Sequence, residues 1–173
     1  MMRACLLLAV GLWVGACDYR VPLGEAPERE IDLGVIGLWE RTRDDGETER
    51  LLVLPMGARE YLVMFPAGTP NALFGRAWLV EQDGDPRWVQ LQWLGTGQGR
   101  VPEADTPVFQ VARYRLDGDA LAVRLLNPEV VTRDAATAAE LARAVEANRD
   151  HPDLFREEAV LTRAGERRPG PRE

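Results

Sequence analysis

The sequence predicts a mainly β protein, an eight-stranded antiparallel meander closed into a barrel, with one α-helix before the last strand. Three observations point there. Between Ile36 and Ala164 apolar residues recur mostly at every second position, the spacing that sends alternate side chains to opposite faces of a strand. Asp45-Gly46, Asp83-Gly84 and Asp117-Gly118 each separate two such runs, and Asp-Gly supplies the positive φ of a tight hairpin. The 173 residues suffice for one core and not for two, so the strands belong to one domain. Eight strands close with room for side chains or one small ligand; a half-open barrel and a sandwich are the alternative closures.

The elements follow in order. Ile36–Arg43 and Thr48–Leu54 are joined at Asp45-Gly46. Arg59–Phe65 follows the turn Pro55-Met56-Gly57, and its Tyr61, Val63 and Phe65 alternate cleanly. Leu73–Glu81 comes after the turn Pro66–Asn71, and Arg87–Leu94, with Val89, Leu91 and Trp93 on one face, after Asp83-Gly84. Gly95–Thr106 is a Gly-rich stretch of 12 residues, expected as a mobile loop before Pro107–Leu116. Ala120–Asn127 then carries Leu121, Val123 and Leu125 on one face. A helix is expected from Asp134 to Asn148, where Ala is frequent, Asp134 suits the positive end and Arg149 the negative one. Its Ala138, Leu141 and Val145 form a stripe that can lie across a sheet or plug a barrel end. His151-Pro152 ends it, with the imidazole expected to cap the last carbonyls, and Asp153-Leu154-Phe155 packs back before the strand Glu157–Arg163.

Composition removes whole classes of chemistry. There is no Ser, so no Ser-His-Asp triad, and no Lys, so neither Schiff-base chemistry nor a complete P-loop. A lone His151 cannot form the paired-His sites of most zinc proteins. The net charge of −7 argues against a nucleic-acid partner, whose phosphates would repel it. No cofactor motif is complete: in Gly95-x-Gly97-x-Gly99 the third glycine of a dinucleotide loop falls on Arg100. The pairs Asp44/Asp45, Asp83/Asp85 and Asp117/Asp119 could suggest calcium or a glycosidase pair, but all sit at expected hairpins, where Asp serves the turn. A carboxylate-based hydrolase therefore ranks last, and an enzyme is not expected.

The amino terminus reads as an address. Arg3 precedes an apolar run of nine residues, Leu6 to Val14, which in a helix would rise about 14 Å against about 30 Å of bilayer hydrocarbon. A charged start, a short apolar middle and small residues describe a secretory signal over residues 1–16. Val14-Gly15-Ala16-Cys17 resembles the bacterial lipobox. The resemblance implies cleavage after Ala16, a diacylglycerol thioether on Cys17 and stable anchoring to a membrane by several acyl chains, facing the periplasm. Asp18 leans that assignment to the inner membrane, by similarity to the retention signal of enteric bacteria. Residues 17–33, with Pro22, Pro27 and little periodicity, are expected as a lipidated Cys and tether; residues 34–164 as the barrel; residues 165–173 as a disordered tail.

Gly37-x-Trp39 at the first strand looks like the first lipocalin signature. In that family the Trp closes the barrel base beneath an Arg of the last strand, which implies Trp39 and Arg163 as the barrel-closing pair here, a cation–π contact worth about 0.5–2 kcal/mol. The helix departs from the family pattern by preceding the eighth strand. Cys17-Asp18-Tyr19, Val21-Pro22-Leu23, Gly37-x-Trp39 and His151-Pro152-x-Leu154-Phe155 with Glu157-Glu158 together resemble a group of uncharacterised bacterial lipoproteins with a lipocalin-like domain, a resemblance that brings no activity with it.

Two functions follow as expectations. One is a lipid-anchored barrel holding a small apolar or amphipathic ligand, with Phe74, Arg76 and Trp78 sharing one face of their strand as candidate lining. Phe109, Val111, Arg113 and Arg115 share a face of theirs. The other placement puts the arginines outside and the aromatics in a packed core, since a slip of one residue exchanges the faces. The second function is a non-catalytic module that docks an envelope protein complex through an exposed apolar patch, sought near Leu73–Trp78.

Overall fold

The computed structural model describes residues 19–81, 86–104 and 106–165. Its strands are β1 (Gly37–Thr42), β2 (Thr48–Pro55), β3 (Tyr61–Phe65), β4 (Leu73–Glu81), β5 (Arg87–Thr96), β6 (Phe109–Asp117), β7 (Ala120–Leu125) and β8 (Ala159–Arg163). Each pairs antiparallel with the next, and β8 returns to β1 through Trp39↔Arg163 and Glu40↔Thr162, so the meander closes into a barrel. The one α-helix among the described residues, α1 (Ala138–Ala147), precedes β8. No helix among the described residues is long and apolar enough to cross a membrane.

Turn chemistry fixes the hairpins. Gly46 at φ 83° and Gly118 at φ 56° occupy the left-handed region that the β1–β2 and β6–β7 turns require. Asp45 Oδ1 accepts from the Glu47 amide at 3.0 Å, so that acidic pair serves its turn. The Asp83-Gly84 turn lies outside the described residues. β5 runs two residues beyond its expected end, to Thr96, because the following glycines fold back: the Gly97 amide donates to the Ala72 carbonyl at 2.7 Å.

The helix starts later than the Asp134 expectation. Thr137 is its N-cap, accepting from the Glu140 amide at 3.2 Å, while Glu140 reaches back to the Ala136 amide at 2.8 Å. Thr137-x-x-Glu140 is a capping pattern visible in the sequence, and it outweighs the diffuse charge preference at Asp134. His151 does not cap the helix; its Nδ1 accepts from the Asp153 amide at 3.1 Å, and Asn148 Nδ2 meets the Ala144 carbonyl instead.

Two cores result. The inner one fills the barrel around Trp39, Tyr61, Leu79 and Leu161. The outer one lies between the wall of β5–β6 and the helix, where Leu141 and Val145 meet Val111, Phe155 and Tyr19. Residues 19–33 were expected as part of a tether, and here the structure corrects the reading. Tyr19 is 1% exposed, pairs with Phe109 and donates its hydroxyl to the Val131 carbonyl at 2.9 Å. The chain then crosses the outer wall: the Leu23 amide donates to Gln90 Oε1 at 2.6 Å, and Trp78 Nε1 to the Gly24 carbonyl at 3.2 Å. A spacer with unpaired backbone would stay in water. This one has apolar side chains and buried glutamine and indole groups to satisfy, so it forms a strap.

Candidate functional site

The strap ends at the barrel floor, the end where β1 begins. A short 3-10 turn, Leu33–Val35, seals it, and the Trp39 indole, fully buried, donates to the Val35 carbonyl at 2.8 Å. The Arg163 guanidinium lies 4.2 Å over the Trp39 ring and donates to the Ile36 carbonyl at 2.9 Å and the Gly34 carbonyl at 2.8 Å. One cation thus ties the last strand to the sealing turn and the first strand. Gly37 makes room for it. Its φ of 142° is one that side chains rarely adopt, and a Cβ there would stand 2.7 Å from Arg163 Nη1.

A half-buried polar cluster completes the floor. Asp32 pairs with Arg87, accepts from the Tyr114 hydroxyl at 3.2 Å, and donates its amide to the Tyr61 hydroxyl. Burial pushes both phenols above their ordinary value, and for Tyr114 the neighbouring Tyr61 adds to the shift. The hydrogen bond that Arg87 donates to the Tyr114 oxygen is the main cause holding the Arg87 pKa up.

Above the floor is a cavity of about 140 Å³ that reaches from Val35 to Phe65, Trp93 and Leu125 at the opposite end, the rim. Its walls are mainly Val, Leu, Ala and aromatic side chains. Arg41 stands at the rim, its charge met by Glu49 at 2.6 Å. Gln110 also faces the lumen. A second, more polar recess of about 760 Å³ lies outside, between the end of β7 and residues 151–157, bordering the first at Leu125.

The lining expected from the sequence is corrected by the register. Ala77 of β4 faces the cavity, so Phe74, Arg76 and Trp78 stand on the outer face. Trp78 is buried there, under the strap, and Arg76 lies 5.2 Å over its ring while bonding Gln92 at 2.7 Å and Glu60 at 3.3 Å. On β6 the lumen likewise receives Gln110, Ala112 and Tyr114, while Arg113 sits outside over the Phe155 ring at 4.4 Å. Burial lowers the Arg113 pKa. The outer faces of β4 and β6 also carry apolar residues where the strap and helix cover them, at Trp78 and Val111, so alternation could not choose between the faces. Cys17 and Asp18 lie outside the described residues.

Among the described residues no three His, Cys, Asp or Glu side chains gather as a metal site. Against known proteins, the chain matches no family model, no curated protein and no solved structure. The site itself therefore carries the functional argument.

Proposed function

We propose that this chain is a lipid-anchored envelope lipoprotein whose lipocalin-like barrel binds a small, mainly apolar ligand in its lumen, without catalysis. The observation that carries this reading is the apolar cavity of about 140 Å³ above a sealed floor. A cavity of similar size lined by aliphatic and aromatic groups takes up a benzene-sized molecule. The Gly37-x-Trp39 and Arg163 arrangement supports the lipocalin-like comparison. In this reading Cys17 carries the acyl chains, and Asp18 favours the inner membrane. Tyr19 is fixed to the first residue of β6, at the rim, and two residues of chain reach at most about 7 Å. An acylated Cys17 would therefore hold the domain against the lipid with no long spacer between.

Native mass spectrometry of the full chain, extracted from bacterial envelopes in detergent, tests both parts. The expected spectrum has the mass of a chain beginning at an acylated Cys17 plus a bound molecule small enough for the lumen. An unmodified amino terminus would remove the anchor, and a ligand-free mass that persists after incubation with small aromatics would remove the binding function.

A second reading is favoured by one specific feature of the outer wall. Leu38, Leu52, Met64 and Phe74 are successive cross-strand partners, forming an apolar row four strands wide, with Leu54 and Leu62 in the next row. Leu38 is 36% and Leu54 39% exposed. β2, at the middle of this row, is four strands from β6 in the ring of eight, so the attachment of Tyr19 and the row lie on opposite walls. A lipid surface held at β6 would leave the row free, which makes an apolar protein face its fitting occupant. A photo-crosslinker at Leu52 in intact envelopes is expected to give one discrete protein adduct, lost in M64E and not formed from Glu146 on the helix. Equal labelling from both positions would dismiss the docking surface.

A further inference from the structure

Two glutamines are the only buried polar side chains among the described residues, and they sit on adjacent strands with opposite fates. Gln90, on the outer face of β5, is fully satisfied: its Oε1 accepts from the Leu23 amide at 2.6 Å, and its Nε2 donates to the carbonyls of Leu91 at 3.0 Å and Gln110 at 2.9 Å. Gln110 is 4% exposed and lies opposite Leu91, facing the lumen. Its side-chain amide makes no hydrogen bond to any described residue, while its backbone pairs with Leu91 in the β5–β6 ladder and its carbonyl accepts from Gln90 Nε2.

An amide buried among apolar walls without a partner is costly, and native proteins rarely carry one without a purpose. A leucine there, opposite Leu91, would leave no side-chain amide unpaired. We propose that Gln110 is the polar fixing point of the lumen, and that the ligand is a neutral, ring-sized molecule bearing one hydrogen-bonding group, of the phenol, alcohol or ketone class. This rests on the reading of the lumen as a binding site and deepens it.

Three features of the cavity define that class. About 140 Å³ admits a single ring and not a long acyl chain. Among the described residues that line the cavity, the one charged side chain is Arg41, already met by Glu49, so no free charge faces an ionised ligand there. A carboxylate would then be buried without a counter-ion, which is far costlier than a buried hydroxyl. The amide itself presents both a donor and an acceptor, so it serves either polarity of neutral group.

The experiment titrates the full chain with toluene and with p-cresol, two probes of the same shape that differ by a hydroxyl. Methyl chemical shifts of Leu91, Val123 and Leu125 report entry into the lumen. Wild-type protein is expected to bind p-cresol about tenfold more tightly than toluene, the discrimination a buried hydrogen-bonding group supplies. Q110L is expected to remove that preference while keeping or strengthening toluene binding, with an unchanged fold shown by the remaining methyl spectrum. Equal affinities for the two probes in wild type, or a preference for p-cresol that survives in Q110L, would overturn the role of Gln110 and leave the lumen as an unspecific apolar site. Entry of neither probe would overturn the lumen reading itself. Q110E, which places a charge at the same point, is expected to bind both probes weakly near neutral pH.

Discussion

At the scale of single residues, Gly37 and Arg163 are one device. The guanidinium lies over the Trp39 ring and donates to two carbonyls, and its path runs where a Cβ on residue 37 would stand. R163A is expected to lower unfolding stability by about 2 kcal/mol, the combined scale of a cation–π contact and two hydrogen bonds. G37A adds a side chain at an unfavourable φ and a clash with Nη1, at a cost of about 1–3 kcal/mol. The two substitutions share the clash, so the double variant is expected to be less destabilised than the two costs combined. Urea unfolding of the four proteins measures the cycle; strict additivity would mean that Gly37 acts through its φ alone.

At the scale of elements, the strap is the part whose role differs most from its composition. Its prolines and charges describe a linker, yet it covers Gln90 and Trp78 and is held at both ends, by Tyr19 on β6 and by the Ile31 amide, which donates to the Ala58 carbonyl at 3.0 Å. The helix covers the neighbouring wall through Leu141 and Val145, and Tyr19 is packed in the same cluster. Y19A is accordingly expected to cost about 3 kcal/mol, in the range of other buried aromatic truncations. A free spacer would predict a change within about 0.5 kcal/mol. Thermal unfolding followed by tryptophan fluorescence separates the two.

At the scale of the whole molecule, the barrel is stabilised at one end by a polar floor whose protonation state matters. Tyr61 and Tyr114 are neutral when folded, and burial raises both above the ordinary 10.0. The folded protein therefore holds these protons more tightly than the unfolded chain does. Their contribution is fully present below about pH 10 and declines as pH rises from there towards the raised folded values. Unfolding free energy measured in urea at pH 8, 10 and 11 is expected to fall across the last interval. Y114F is expected to be about 1.5–3 kcal/mol less stable at pH 8, having lost its bond to the Asp32 carboxylate, and to show a shallower alkaline decline. An unchanged slope in Y114F would assign the decline to other groups.

The number of strands, their meander order, most of the hairpins and the place of the helix are legible in the residues alone. Those features depend on local rules: period-two alternation, glycines at positive φ, and a stripe of Leu141 and Val145 at helical spacing. The sequence also places Trp39 and Arg163 at the first and last strands. Which face of β4 and β6 looks inward is set by contacts between elements far apart in the chain. Trp78 is as apolar as Ala77 and Leu79, because the strap buries the outer wall over it, and alternation carries no sign where both faces are dry. Gln110 was hidden for the same reason: a glutamine among strand residues reads as a solvent-facing position, and its burial exists only once β5, β6 and β7 have closed around it.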